Sequence, residues 1–196
     1  PLRRQHGLPS ALRLHRMSGL IFPRVTEILA DVGLAQDFSA VPPAALEAAR
    51  ARGIAVHEAI EALAYGYFEG EPDPTIAAYL DAYRKFLHES RYVTLASEFE
   101  VVHPVWRYRG HPDSLGMMGT TRLITDFKTG ELGAVDYQLV AYIEGWNATH
   151  PTEPVTAGMA VQLRDDGTYR IHEADLNAAR PKWFAFVTTY YAKRTL

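Results

Sequence analysis

The chain has 196 residues, 47% of them hydrophobic and 22% charged, with a formal net charge of −3 and no cysteine. That length suits one domain with a real core and excludes a largely disordered chain. No apolar run approaches the ~18 residues of a bilayer span, cysteine chemistry and disulfides are ruled out, and the weakly negative field confines any polyanion contact to a local groove.

Residues 1–16, PLRRQHGLPSALRLHR, are basic and lack the apolar core of a signal peptide. They read as an extension upstream of a natural start at Met17 or as a vector remnant, with residues 17–196 forming a single domain. FPRVTEILADVGL (Phe22 to Leu34) predicts a short helix with Val25, Ile28, Leu29 and Val32 on one face and Gly33 as its stop. PPAALEAARARGIAVHEAIEALAYGYFEG predicts a long helix opened by Pro43, with Val56, Ile60, Leu63 and Tyr67 as its apolar stripe. Gly53 inside it costs about 1 kcal/mol against alanine, which implies a close approach there. TIAAYLDAYRKFLHES predicts another helix through Ile76, Leu80, Tyr83 and Leu87.

The texture then changes. YVTLASEFEVVHPVWRYRGHPD alternates and is rich in valine and aromatics, predicting two strands with a bend at Pro104. TRLITDF predicts a third strand, reached through a turn at Gly116–Gly119. AVDYQLVAYIEGWNATH predicts a helix, PVTAGMAVQLRDDGTYRIHEAD a hairpin across Asp166–Gly167, and NAARPKWFAFVTTYYAKR a closing helix. Helices, three strands, a helix, two strands and a helix, with no repeat or long linker, make one α/β domain.

Alternation places Asp126 and Lys128 on one face of ITDFKTG. Asp113 lies beside them if the strand it ends pairs antiparallel with that stretch. Carboxylates meeting at a strand end form a hard oxygen site suited to Mg²⁺ or Mn²⁺. A lysine alongside can position water and offset charge growing on a phosphate. The plain alternative is a turn aspartate and a surface ion pair. His57 lies one helical turn after Gly53 beside the apolar stripe, as a hydrogen-bonded histidine at the core's edge would. Gln138 and Tyr142 share a helix face, as in any amphipathic helix. Glu98 and Glu100 face the same way on a strand, and His103 and His111 flank the acidic stretch.

Taken together, these pieces resemble a known active-site core. GHPD (Gly110 to Asp113) and ITDFKTG follow Gly53-x-x-x-His57 in RGIAVH and precede Gln138-x-x-x-Tyr142 in QLVAY. The set is similar to the PD-(D/E)XK nuclease superfamily, in its RecB-like, phage-type exonuclease branch, and spans roughly Val25 to Tyr142. The resemblance implies an α/β, restriction-endonuclease-like core with a central mixed β-sheet flanked by helices. It implies a metal-dependent DNA exonuclease acting on DNA ends or single strands in recombination, repair or replication, in the cytoplasm of a bacterial or phage-infected cell. His57, Asp113, Asp126 and the Phe127 carbonyl would hold one or two Mg²⁺ or Mn²⁺ ions, with Lys128 catalytic. Glu98, rather than Glu100, would be the acidic residue ahead of Gly-x-x-Asp. Gln138 and Tyr142 would contact nucleic-acid backbone or position the catalytic groups. Asp-x-Lys in place of Glu-x-Lys is an accepted variant.

The chain also departs from some relatives. Without cysteine it holds no iron–sulfur cluster, and without Gly-x-x-x-x-Gly-Lys-Ser/Thr it binds no nucleotide for unwinding, so a helicase or recombinase partner would supply that work. Arg50, Arg52, Arg107, Arg109 and Arg122 cluster in sequence around the motifs. They read as a phosphate-binding rim, Arg52 and Arg109 foremost, or as solvated arginines covering apolar surface. WFAFVTTYY (Trp183 to Tyr191) reads as core or as a base-stacking surface. Two other functions fit the same residues: a nucleic-acid-binding module that keeps the fold without turnover, and a site- or structure-specific endonuclease.

Overall fold

The computed structural model describes residues 22–35 and 39–194, so the basic segment 1–16 lies outside the described residues. The elements are α1 (Val25–Asp31), α2 (Pro43–Tyr65), α3 (Ala77–Ser90), β1 (Val93–Ser97), β2 (Val101–His103), β3 (Tyr108–Gly110), β4 (Ser114–Met118), β5 (Thr121–Lys128), α4 (Val135–Thr149), β6 (Ala157–Leu163), β7 (Tyr169–Glu173) and α5 (Leu176–Ala192). A five-stranded mixed sheet runs in the order β1-β4-β5-β6-β7, and β2 and β3 form a separate two-stranded ribbon. β5 and β6 are parallel and the other pairs of the large sheet are antiparallel. Helix α4 makes the long return that a parallel pair requires.

Both faces of the sheet are covered, and strand alternation sorts the side chains between them. Leu123 and Phe127 of β5, with Met159, Val161 and Leu163 of β6, pack under Val56 and Ile60 of α2 and Leu80, Tyr83 and Phe86 of α3. Ile124 and Ala160 face the other way, into a core built from α1, α4 and α5 that includes Leu139, Ile143, Trp146, Trp183 and Val187. Asp126 and Lys128 share the Ile124 face by the same alternation. A buried strand face that ends in an acid and a base is what makes this end of β5 unusual.

Four sequence expectations need correction. The chain from Tyr92 to Asp113 makes three short strands, because Glu98 (φ 49°) breaks the run between β1 and β2 and Arg107 (φ 54°) turns β2 into β3. The stretch expected as a Gly116–Gly119 turn is largely strand β4, and the reversal falls at Gly119 (φ 59°). Gly116 is needed there because a Cβ would sit 2.2 Å from the Tyr92 ring. Gly53 makes no tight approach: an added Cβ would meet Thr129 Oγ1 at an ordinary 3.7 Å. Tyr67 falls outside the stripe, since Gly66 (φ 73°) ends α2 and leaves Tyr67 57% exposed.

Candidate metal and nuclease site

The site forms at a step in the sheet. Ser97 of β1 and Ser114 of β4 pair with each other, and Ser114 pairs with Thr125, so both short strands stop level with Thr125. β5 runs on through Asp126, Phe127 and Lys128, supported only by β6 on that side. Beyond the ends of β1 and β4, groups from both faces of the sheet can meet.

Asp113 stands at this step. It precedes β4 rather than ending the preceding strand, but β4 is antiparallel to β5, so it comes beside Asp126. Its Oδ2 accepts the Phe127 N–H at 2.6 Å, and its Oδ1 lies 3.4 Å from His57 Nδ1. The Phe127 ring is buried in the α2–α3 core. Its N–H points toward the step, and in a strand the carbonyl of the same residue shares that edge.

Glu98 reaches the site because its left-handed backbone turns the chain out of β1, while its N–H bonds the Asp113 carbonyl at 3.0 Å. Such a φ is uncommon for a non-glycine residue. Its Oε1 is 3.5 Å from His57 Nδ1. One donor atom each from His57, Glu98 and Asp113 lies within 4.8 Å of the others, a group able to hold a cation. These residues line a cleft of about 480 Å³ with Gly53, Ile54, Glu58 and Glu61. Burial pulls the His57 pKa down, but hydrogen bonding to Asp113 and then Glu98 overrides it and lifts the imidazole to about 10.

Asp126 and Lys128 adjoin this group from the α4 face. Asp126 is buried, and its Oδ2 lies 2.8 Å from Lys128 Nζ, although no well-aligned hydrogen-bond donor reaches that oxygen. Burial raises Asp126 to about 6 against the pull of the Lys128 ammonium. For Lys128, burial favours the neutral amine, yet Asp126 and then Asp113 more than compensate and hold it protonated. Asp126 is not one of the three groups within mutual coordinating reach.

Gln138 donates to the Tyr142 hydroxyl at 3.3 Å, one turn apart on α4. Tyr142 is only 4% exposed, and a Cβ on Gly110 would fall 2.4 Å from its ring. Burial, with Asp126 and Asp113 adding, keeps the phenol far above its usual range. The side chain is therefore a packed wall of the site, with little surface left for a nucleic-acid contact, while Gln138 is half-buried.

The arginines do not form one rim. Arg52 is half-buried on α2 with its guanidinium 5.6 Å from the centre of the Tyr79 ring. Arg109 donates to the Phe22 carbonyl and to Glu100, and of the two glutamates it is Glu98 that lies near His57. Both Arg109 and His111 line a second cleft, of about 330 Å³, behind Tyr142. Arg122 pairs with Glu153 at the opposite end of β5, about 20 Å from Lys128 at strand rise. Arg107 sits in the β2–β3 turn, and Arg50 is exposed on α2. His103 is buried against Tyr108 and Phe184 and takes no part. Trp183 is fully buried, which places the WFAFVTTYY stretch on the core side of its two readings.

Sequence alone did not bring Glu98 to His57 as a possible cation ligand. The local signal was faint: an acid immediately after a strand, where a break in alternation would turn it outward.

No protein-family model matches the chain, and no curated protein matches it. Among solved structures, it is similar to an alkaline exonuclease, LHK-Exo, from Laribacter hongkongensis, at 17% identity and a TM-score of 0.36. That match covers 57% of this chain and 62% of the other, less than two-thirds of its length. It is also similar to LHK-Exo in complex with dAMP, at 14% identity and a TM-score of 0.41, covering 88% of this chain and 87% of that one.

Proposed function

We propose that this chain is a Mg²⁺- or Mn²⁺-dependent deoxyribonuclease of the RecB-like exonuclease kind, hydrolysing phosphodiester bonds at DNA ends. The observation that carries the reading is the meeting of His57, Glu98 and Asp113 within 4.8 Å, beside buried Asp126 and its half-buried partner Lys128 at the step in the sheet. The donor set suits the ion: carboxylate oxygens and an imidazole favour a hard divalent cation. Asp126 Oδ2 is buried and faces the Lys128 ammonium at 2.8 Å, so the pair brings one further carboxylate to the edge of the group.

His57, Glu98, Asp113, Asp126 and the Phe127 carbonyl are the groups that would hold one or two ions. A bound ion supplies an acidified water and neutralises charge on the departing 3′-oxygen. The chain does the rest. The Phe127 N–H fixes Asp113, so its other oxygen is aimed at the site rather than free to rotate. Asp126 holds the Lys128 ammonium where it can orient the attacking water and meet negative charge developing on phosphorus. Tyr142, locked between Gly110 and Gln138, closes the α4 side of the site.

The test uses labelled linear single- and double-stranded DNA and a circular duplex, each incubated with Mg²⁺, Mn²⁺ or EDTA. Linear DNA is expected to shorten in either metal and to stay intact in EDTA, with the circle resistant. Cutting of the circle would mark an endonuclease. Binding without cutting in all three conditions would leave a nucleic-acid-binding module and overturn the assignment.

A further inference from the structure

Helix α2 carries more than His57 toward the site. Residues 57, 61 and 65 are four apart, so His57, Glu61 and Tyr65 follow one another along a single face. Tyr65 lies about 12 Å beyond His57 along the helix axis. Its hydroxyl donates to the Ser97 carbonyl at 3.1 Å and accepts the Ser97 N–H at 3.3 Å. Ser97 in turn donates from Oγ to the Asp113 carbonyl and precedes Glu98. Tyr65 is thus fixed to the same strand end that presents two of the candidate ligands.

Gly66 then folds the chain back. The Gly66 N–H bonds the Leu63 carbonyl at 3.2 Å and the Tyr67 N–H bonds the Ala62 carbonyl at 3.0 Å, the pattern of a Schellman turn. In that motif the residue in Tyr67's position commonly packs back against the helix. Here it does not. Tyr67 is 57% exposed and Tyr65 46% exposed, and their rings lie parallel within 6°, with centroids 6.2 Å apart. Two aromatic faces are held in register in solvent by a hydrogen-bonded turn, about two helical turns along α2 from His57. The core gains little from either ring.

We infer that Tyr65 and Tyr67 form a stacking platform for an unpaired nucleobase, so that the substrate is a single strand, or a frayed end, entering along α2 toward His57. The inference rests on the nuclease reading above and names its substrate class. A parallel aromatic pair fits a base because every base offers a π-face, and such stacking is insensitive to sequence. Inside an intact duplex both faces of each base are already covered by its stacked neighbours, and a blunt end offers only one terminal pair. Glu58 and Glu61, on the same helix as Tyr65, line the cleft at His57. Contact there through the uncharged base rather than the phosphates avoids their repulsion.

The test measures binding of fluorescein-labelled oligonucleotides by anisotropy, with Ca²⁺ in place of Mg²⁺ as a hard oxygen-seeking cation. Wild type, Tyr67→Ala and Tyr67→Trp are compared on a single-stranded 12-mer, the same 12-mer with contiguous abasic sites, and a blunt duplex. Tyr67→Ala is expected to weaken single-strand binding by about fivefold or more. Tyr67→Trp is expected to restore it, and the abasic strand to bind wild type and Tyr67→Ala alike. The exposure of Tyr67 makes unfolding an unsuitable explanation, and circular dichroism checks it. Equal single-strand affinity in wild type and Tyr67→Ala overturns the platform, as does an equal loss on the blunt duplex. The two readings fail separately: metal-dependent cutting with an indifferent Tyr67→Ala removes only the platform. Tyr67-dependent single-strand binding without cutting removes only the nuclease.

Discussion

Replacing Asp126 with alanine is expected to lower kcat/KM for hydrolysis of a 5′-labelled single strand by about 10³-fold or more. Two functions disappear together. A carboxylate proposed to hold the ion is lost, and Lys128 loses the oxygen 2.8 Å from its ammonium. Lys128→Ala is expected to fall nearly as far, because it removes the cation facing the developing negative charge while leaving Asp126 in place. The double variant should be little worse than either single one, since residues that act as a unit lose activity non-additively. Asp126→Asn keeps the volume of the buried side chain and separates loss of charge from loss of packing. Circular dichroism and a melting curve establish that each variant is folded. Activity within tenfold of wild type in the double variant would remove this pair from the mechanism.

The second large effect is on stability. A ligand that binds only the folded state stabilises it by about 2.7 kcal/mol at a hundred times its Kd. For a domain of this size, each kcal/mol moves the midpoint by roughly 2–4 °C. Saturating Mn²⁺ is therefore expected to raise the melting temperature by about 5–10 °C, and EDTA to reverse the rise. Asp113→Asn and His57→Ala should lose most of that shift, because each removes a member of the three-residue group. Glu100→Gln should keep it, since Glu100 is engaged with Arg109 elsewhere. The scan is read by differential scanning fluorimetry. An equal shift in all four proteins would show that the ion binds outside this site.

The helices were legible because their apolar stripes are long and regular. Val25, Ile28 and Leu29, then Val56 and Ile60, then Leu80 and Tyr83, are buried where the periodicity placed them. Strand β4 was not legible. SLGMM is short and lies between turn-forming residues, and the reason for Gly116 is the Tyr92 ring, which is remote in sequence. The same limit applies at the site. Alternation alone puts Asp126 and Lys128 on one face, and antiparallel pairing brings Asp113 beside them, although Asp113 precedes β4 instead of ending the strand before it. The approach of Glu98 to His57 depends on the register of β1 against β4 and on one left-handed residue, neither of which a local pattern encodes. Arg122 shows the converse: four residues from Asp126 in sequence, it points along a rigid strand toward the far end of the sheet. Tyr67 kept helical spacing past the point where Gly66 had already stopped the helix.

Anomalous scattering from a crystal soaked in Mn²⁺ tests the central claim most directly. The expected result is a peak at the start of β4, at about 2.1 Å from an Asp113 carboxylate oxygen and in contact with His57 or Asp126. A peak elsewhere with this position vacant, or none at saturating Mn²⁺, would contradict it.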